Sequence, residues 1–166
     1  MNQDAVNVIR YFIVDKNTYY MKEALKEAKK AFKIGEVPIG AVIVYQDKII
    51  ARGYNKREKN EETLAHAELI AIKKANKKIG SWRLEDCKLY VTLEPCSMCA
   101  GAIIQARMKE VYFAAKDPKA GAVGSVLNLF DYKFNHQVYY MGELMEEESR
   151  EMLQDFFKKL RNNEIK

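Results

Sequence analysis

Two cysteines stand three residues apart in Pro95-Cys96-Ser97-Met98-Cys99, where an apolar, strand-like run gives way to a helical one. The whole chain holds three cysteines and two histidines, so a site built on sulfur and imidazole draws on a short supply. Residues three apart on a helix share a face, and both sulfurs can reach one atom. The partial positive charge at a helix N-terminus favours the thiolate form. Such a pair serves as a zinc half-site, a redox couple or two small core residues. The flanks are unlike a thioredoxin-type couple, with no Trp before the first cysteine.

Structural zinc takes four protein ligands, whereas catalytic zinc takes three and keeps one position open. Cys87 has no second cysteine beside it and reads as a small buried residue. His136, in Phe134-Asn135-His136, reads as a surface or substrate-facing residue. That leaves His66, in Ala65-His66-Ala67-Glu68. His66, Cys96 and Cys99 make a Cys2His set with room for a fourth, non-protein ligand. Side chains two apart on a regular helix diverge by about 200°, so His66 and Glu68 face one ion only if His66 lies at the very start of its helix. Thr63 is the expected cap. The ion is then expected between two helix N-termini, those after Thr63 and Glu94. Two thiolates and a neutral imidazole cancel the charge of Zn²⁺, so bound water is acidified less than at an all-histidine centre. A carboxylate beside that water, Glu68, would take its proton and pass protons to a substrate. The plainer reading of Glu68 is a solvated helix carboxylate paired with Lys73.

The elements that must hold these residues follow from periodicity. Residues 20–33 read as an amphipathic helix, with Met21, Ala24, Leu25, Ala28, Ala31 and Phe32 on one face and Gly35 as its stop. Residues 39–45 and 48–54 form a hairpin across Gln46-Asp47. A polar loop at 55–62 leads to a second helix at 64–78. A strand at 87–94 ends at Pro95, which reads as a first-turn proline. Residues 99–106 are apolar nearly all round and suggest a buried helix or a subunit interface. A strand at 110–115, a loop at 117–124, a short strand at 137–141 and a closing helix at 143–159 complete the chain. The alternation predicts one α/β domain, a mixed sheet covered by helices on both faces.

Composition sets the outer bounds. The 166 residues suit one domain with a substantial core. No apolar run is long enough to span a bilayer. The piece 8–14 is interrupted by Arg10 and lacks the flanks of a signal peptide, so a cytoplasmic protein with reduced thiols is expected. The net charge of +5 fits either a lysine-rich soluble protein or a polyanionic partner such as nucleic acid.

His-x-Glu followed downstream by Pro-Cys-x-x-Cys resembles the signature of the zinc-dependent nucleobase and nucleoside deaminases. Within that cytidine/deoxycytidylate deaminase superfamily, further pieces are similar to the bacterial tRNA-specific adenosine deaminases. They are Glu36-Val37-Pro38-Ile39-Gly40-Ala41, Gly53-Tyr54-Asn55, Trp82-Arg83-Leu84, residues 89–101, Asp117-Pro118-Lys119-Ala120-Gly121, Phe134-Asn135-His136 and Asp155-Phe156-Phe157. The resemblance covers residues 18–165 and leaves 1–17 as an extension without an assigned role. It implies a three-layer α/β/α fold of the cytidine-deaminase type around a five-stranded sheet, a homodimer, and one zinc per subunit held by His66, Cys96 and Cys99. It implies hydrolysis of adenosine to inosine at the wobble position of a tRNA anticodon, with Glu68 moving protons to N1 and to the leaving amine. Asn55 would contact the flipped nucleoside. Asp117, Lys119, Asn135 and His136 would line the anticodon groove, and Phe156, Phe157 and the basic run after them would hold flanking nucleotides. Bases stack on aromatic rings while Lys and Arg hold phosphates, and one phenylalanine of the pair is expected to turn into the core. The alternative is a deaminase of a free base or nucleoside such as guanine or cytosine, which needs neither the basic tail nor the positive charge.

Overall fold

The computed structural model describes residues 3–165, and the side chains of residues 5, 6 and 16–165 within them. Met1, Asn2 and Lys166, the outer ends of the expected extension and domain, lie outside the described residues.

The sheet starts from a hairpin. Strands β1 (Gly40–Tyr45) and β2 (Lys48–Tyr54) pair antiparallel through Gln46 and Asp47, whose φ angles are 48° and 60°. Two successive residues with positive φ are what a two-residue hairpin of type I′ requires. Strand β3 (Lys88–Leu93) runs antiparallel to β1, and β4 (Glu110–Ala115) and β5 (Tyr139–Met141) follow in parallel, giving the order β2-β1-β3-β4-β5. Alternate residues of the central strands enter different cores. Ala41, Ile43, Leu89, Val91, Val111 and Phe113 pack on one face, and Val42, Val44, Tyr90, Tyr112 and Ala114 on the other. Both faces are covered, so the interior positions of these strands are apolar but for Thr92.

Helices cover both faces, as expected of a three-layer arrangement. The first face carries α3 (Ala67–Ile79) and α4 (Ser97–Gln105), and the second carries α1 (Gln3–Lys33) and α5 (Glu146–Arg161). Helix α1 runs far beyond the expected 20–33, because no Gly or Pro interrupts it before Gly35. A short helix α2 (Arg57–Asn60) interrupts the loop expected at 55–62, and a 3₁₀ turn (Leu129–Asp131) precedes β5. Among the described residues no helix is long and apolar enough to cross a membrane.

Two element starts differ from expectation, and both bear on the site. Helix α3 begins at Ala67, three residues later than its apolar period suggests, and Leu64 is left exposed before it. Helix α4 begins at Ser97, so Pro95 lies outside it and its carbonyl accepts the Ala122 N–H at 2.8 Å. Pro95 therefore ends the strand segment and does not open the helix.

Candidate metal centre and substrate cavity

Both helix starts deliver side chains that could ligate a metal. His66 is the residue just before α3, in extended conformation (φ −76°, ψ 149°), and Cys96 holds the same position before α4 (φ −70°, ψ 173°). Neither helix has a side-chain cap. The expected Thr63 cap is absent because the cap position is taken by His66 itself. The first hydrogen bonds of each helix then start from these residues, with Ile70 N–H donating to the His66 carbonyl (3.0 Å) and Ala100 N–H to the Cys96 carbonyl (2.8 Å). This extended backbone at His66 lets it share a target with Glu68, which a regular helix would forbid.

His66 Nδ1 lies 3.7 Å from Cys96 Sγ and 3.6 Å from Cys99 Sγ. All three donor atoms fall within 4.8 Å of one another. Zinc–nitrogen and zinc–sulfur bonds of ordinary length at a tetrahedral angle put N and S about 3.6 Å apart. The donor set and its spacing therefore fit a zinc ion without rearrangement. Softer thiolates with imidazole favour zinc over magnesium or calcium.

The electrostatics favour ligation. A hydrogen bond from the Cys99 thiol, against the cost of burial, holds Cys96 down to about 4. The same bond, with burial, pushes the Cys99 thiol up. The hydrogen bond to Cys96 raises His66, with burial opposing. Beside these groups, burial pushes the Glu68 carboxyl up to about 7. Glu68 is 4% exposed, and the neighbouring Cys99 thiol works against the rise that burial causes. It is a shielded carboxyl beside the three ligands, and a solvated carboxylate paired with Lys73 does not describe it. A carboxyl poised near neutrality can both take and return a proton. Cys87, as expected, is a buried free thiol, pushed up by burial to about 11.

A cavity of about 410 Å³ opens over His66, at the C-terminal ends of β3 and β4. Asn55, Asp117, Lys119 and Phe157 all line it. Asn55 is 6% exposed and fixed from both sides: its Oδ1 accepts the Arg57 N–H (3.2 Å), and its Nδ2 donates to the Val37 carbonyl (3.3 Å) and toward Glu36 Oε2 (3.4 Å). Asp117 Oδ1 accepts the N–H groups of Lys119 (3.0 Å) and Ala120 (3.2 Å). Sequence reasoning missed Glu36, buried in the cavity wall with its Oε1 accepting the Lys59 N–H at 2.6 Å. The available signal was a carboxylate isolated between Gly35 and Val37-Pro38.

Three expected contact residues lie elsewhere. Phe156 is 2% exposed, edge-on to Phe32 of α1 (5.5 Å between ring centres), and offers no face to a base. It is the core member of the pair, and Phe157, 41% exposed, is the one at the cavity. Asn135 and His136 sit near the start of β4, the opposite end from the cavity: Asn135 Oδ1 accepts from Arg107 (2.6 Å), and His136 Nε2 lies 2.7 Å from the Met108 carbonyl.

The matches to known proteins agree with this geometry. The MafB19-like deaminase family matches residues 14–161. A tRNA-specific adenosine deaminase of Bacillus subtilis is 53% identical over 143 residues, covering 86% of this chain and 89% of that protein. Its counterpart in Aquifex aeolicus is 49% identical over 148 residues, covering 89% of this chain and 97% of the relative. A solved structure from a study of A-to-I editing by tRNA:A34 deaminases superposes with a TM-score of 0.79 at 43% identity, covering 81% of this chain and 99% of the other. A guanine deaminase from Nitrosomonas europaea, 21% identical with a TM-score of 0.70, shares the fold. With the Cys2His cluster and buried Glu68 in place, and with identities of this size along most of both chains, the protein belongs to the tRNA-specific adenosine deaminases.

Proposed function

We propose that this protein hydrolyses adenosine to inosine at the wobble position of a tRNA anticodon, using one zinc ion held by His66, Cys96 and Cys99. The observation that carries the reading is that the cluster, with Glu68 buried beside His66, meets through His66 a cavity walled by Asn55, Asp117, Lys119 and Phe157. Its relatives are named for tRNA adenosine deamination, one of them for adenine 34. Zinc, when bound, supplies a water acidic enough to serve as a nucleophile near neutral pH. Glu68 would take one proton from the attacking water and give it to N1 of adenine, then take the hydroxyl proton of the C6 adduct and give it to the amine, which departs as ammonia as the carbonyl forms. Asn55, its amide fixed by Glu36, Val37 and Arg57, orients the nucleoside. Phe157 offers an exposed ring for a neighbouring base, and Lys119 a cation for a phosphate. The anticodon loop is already unpaired, so extruding its base costs less than from a duplex.

The same reading makes the protein a cytoplasmic homodimer. Asn135 and His136 lie away from their own cavity, so they serve the anticodon groove only if a second copy presents them to it. The test is incubation of the zinc-loaded protein with bulk tRNA and, separately, with free bases and nucleosides, followed by mass spectrometry. Inosine in tRNA is the expected product. Turnover of free guanine or cytosine alone would overturn the reading.

A further inference from the structure

Glu94 immediately precedes Pro95 and Cys96 and is 2% exposed, yet it neither ligates nor lines the cavity. Its carboxylate is saturated by one loop. Oε1 accepts the N–H groups of Val123 (3.0 Å) and Ser125 (2.9 Å). Oε2 accepts the Asp117 N–H (3.0 Å) and the Ser125 hydroxyl. A backbone seam runs alongside: Glu94 N–H donates to the Ala115 carbonyl, Ala122 N–H to the Pro95 carbonyl, and Cys96 forms a bridge with Gly121. Gly121 is bare where the carboxylate passes, since a Cβ there would stand 2.4 Å from the Glu94 carboxyl carbon and 2.6 Å from the Asp117 carbonyl. The loop so held carries Asp117 and Lys119 into the cavity wall. One carboxylate thus joins the segment that enters the cysteine helix to the segment that faces substrate.

We propose that Glu94 is a positioning residue for deamination: it acts through the loop 117–125, holding the substrate wall in register with the metal ligands. The geometry carries this without reference to substrate identity, and only the kinetic part rests on the reading of the cavity as an RNA site. Four donors converge on two acceptor oxygens, an arrangement that an amide cannot reproduce. In Glu94→Gln, one orientation of the amide sets its NH2 group against the Val123 and Ser125 N–H groups and the other against the Asp117 N–H, so backbone bonds are lost either way.

The experiment compares wild type with Glu94→Gln as zinc-loaded full-length proteins. The expected result is one zinc per chain in both, amide exchange at Asp117, Val123 and Ser125 faster by roughly tenfold or more in the variant, and α4 amides unchanged. With bulk tRNA as substrate, KM should rise about tenfold while kcat stays within about threefold. If the wild type acts only on a free base, the proposed substrate fails, and the same comparison is made with that base. Unchanged exchange at the three amides, or a fall in kcat with KM unchanged, would overturn the role. So would loss of zinc in a folded variant, since Glu94 would then serve the metal centre directly. Should Glu94→Gln fail to fold, Ser125→Ala removes one donor: faster exchange at 123 and 125 with a two- to threefold rise in KM supports the proposal, and wild-type behaviour in both overturns it.

Discussion

Position alone makes Glu68 the candidate proton carrier. The same side chain on a solvated turn of α3 would be an ordinary carboxylate, but here it is shielded and beside Cys99. Replacing it with Gln keeps the volume and removes the proton-transfer capacity. Glu68→Gln should therefore retain one zinc per chain and the wild-type melting point while kcat falls by ~10²–10⁴, the usual scale of general acid–base catalysis. Metal analysis and single-turnover inosine formation check both halves, and an active Glu68→Gln would remove Glu68 from the mechanism. At this scale the clustering of His66, Cys96 and Cys99 was legible because so few residues could ligate: two histidines and three cysteines leave little choice. Phe156 and Phe157 were harder. Adjacent helix positions point about 100° apart, and which one enters the core depends on Phe32, far away in the sequence. Asn135 and His136 could be named by likeness, but the hydrogen bonds to Arg107 and Met108 that hold them at the far end of β4 leave no mark in a local pattern.

Elements place these residues through close backbone contact. Gly53 of β2 lies against the first turn of α3, where an added Cβ would stand 2.3 Å from the Ala67 carbonyl oxygen and 2.9 Å from the Ala71 nitrogen. Both are backbone atoms that cannot swing aside, so Gly53→Ala must push α3 outward and carry His66 and Glu68 with it. The expected outcome is a loss of stability of about 1–3 kcal/mol, as in other overpacked cores, with weaker zinc retention on dialysis against a mild chelator. Normal retention with normal activity would show that α3 tolerates the shift. The opposite face of the sheet carries a different consequence. Tyr90 and Tyr112 stack at 4.8 Å with planes 6° apart, and Tyr90 donates to buried Asn17 Oδ1 at 2.7 Å. Burial is the first cause raising both phenols above their ordinary value. A folded-state pKa above the unfolded one gives stability that is full below the unfolded value, about 10 for tyrosine, and is lost as pH rises beyond it. Urea denaturation should show stability declining from about pH 8.5 upward as Cys87 passes its unfolded value toward about 11, and more steeply beyond about pH 10 where the tyrosines add to it. Tyr112→Phe should flatten that limb, and an unaltered slope would refute the assignment. Strands β2 and β4 were plain from sequence: both run as expected, 48–54 and 110–115, around Ile49-Ile50 and Val111-Tyr112-Phe113. The starts of α3 and α4 were displaced for a physical reason. Apolar spacing continues through Leu64 and Pro95 and misplaces both starts; only the His-x-Glu spacing pointed to an irregular backbone at His66, and nothing in the sequence marked Cys96 as extended.

On the scale of the whole molecule, the net charge of +5 acquires a direction. A shallow groove next to the cavity is lined by Lys119, Arg150, Leu153, Gln154, Phe157 and Arg161, so basic side chains continue from the proposed catalytic cavity along α5. Composition left open whether the charge serves a partner or merely solubility, because charge counts carry no geometry. The groove favours a polyanion. It also sorts the basic run at the end of α5. Lys159 is committed within the protein, paired with Asp155 at 3.0 Å and lying 5.2 Å from the centre of the Phe32 ring. Lys158 and Arg161 are exposed, and Arg161 lines the groove. Neutralising these two should cost tRNA affinity through lost phosphate contacts while leaving the metal centre alone. Each phosphate contact to a single strand contributes about 0.7 to the slope of log affinity against log salt. Lys158→Gln with Arg161→Gln should therefore flatten the slope by up to about 1.4, with kcat at saturating tRNA unchanged. Lys159→Gln should instead lower stability slightly and leave the slope intact. Binding titrations across a salt series resolve the two patterns. A slope that responds to Lys159 and ignores Lys158 and Arg161 would place the anticodon on another face of α5.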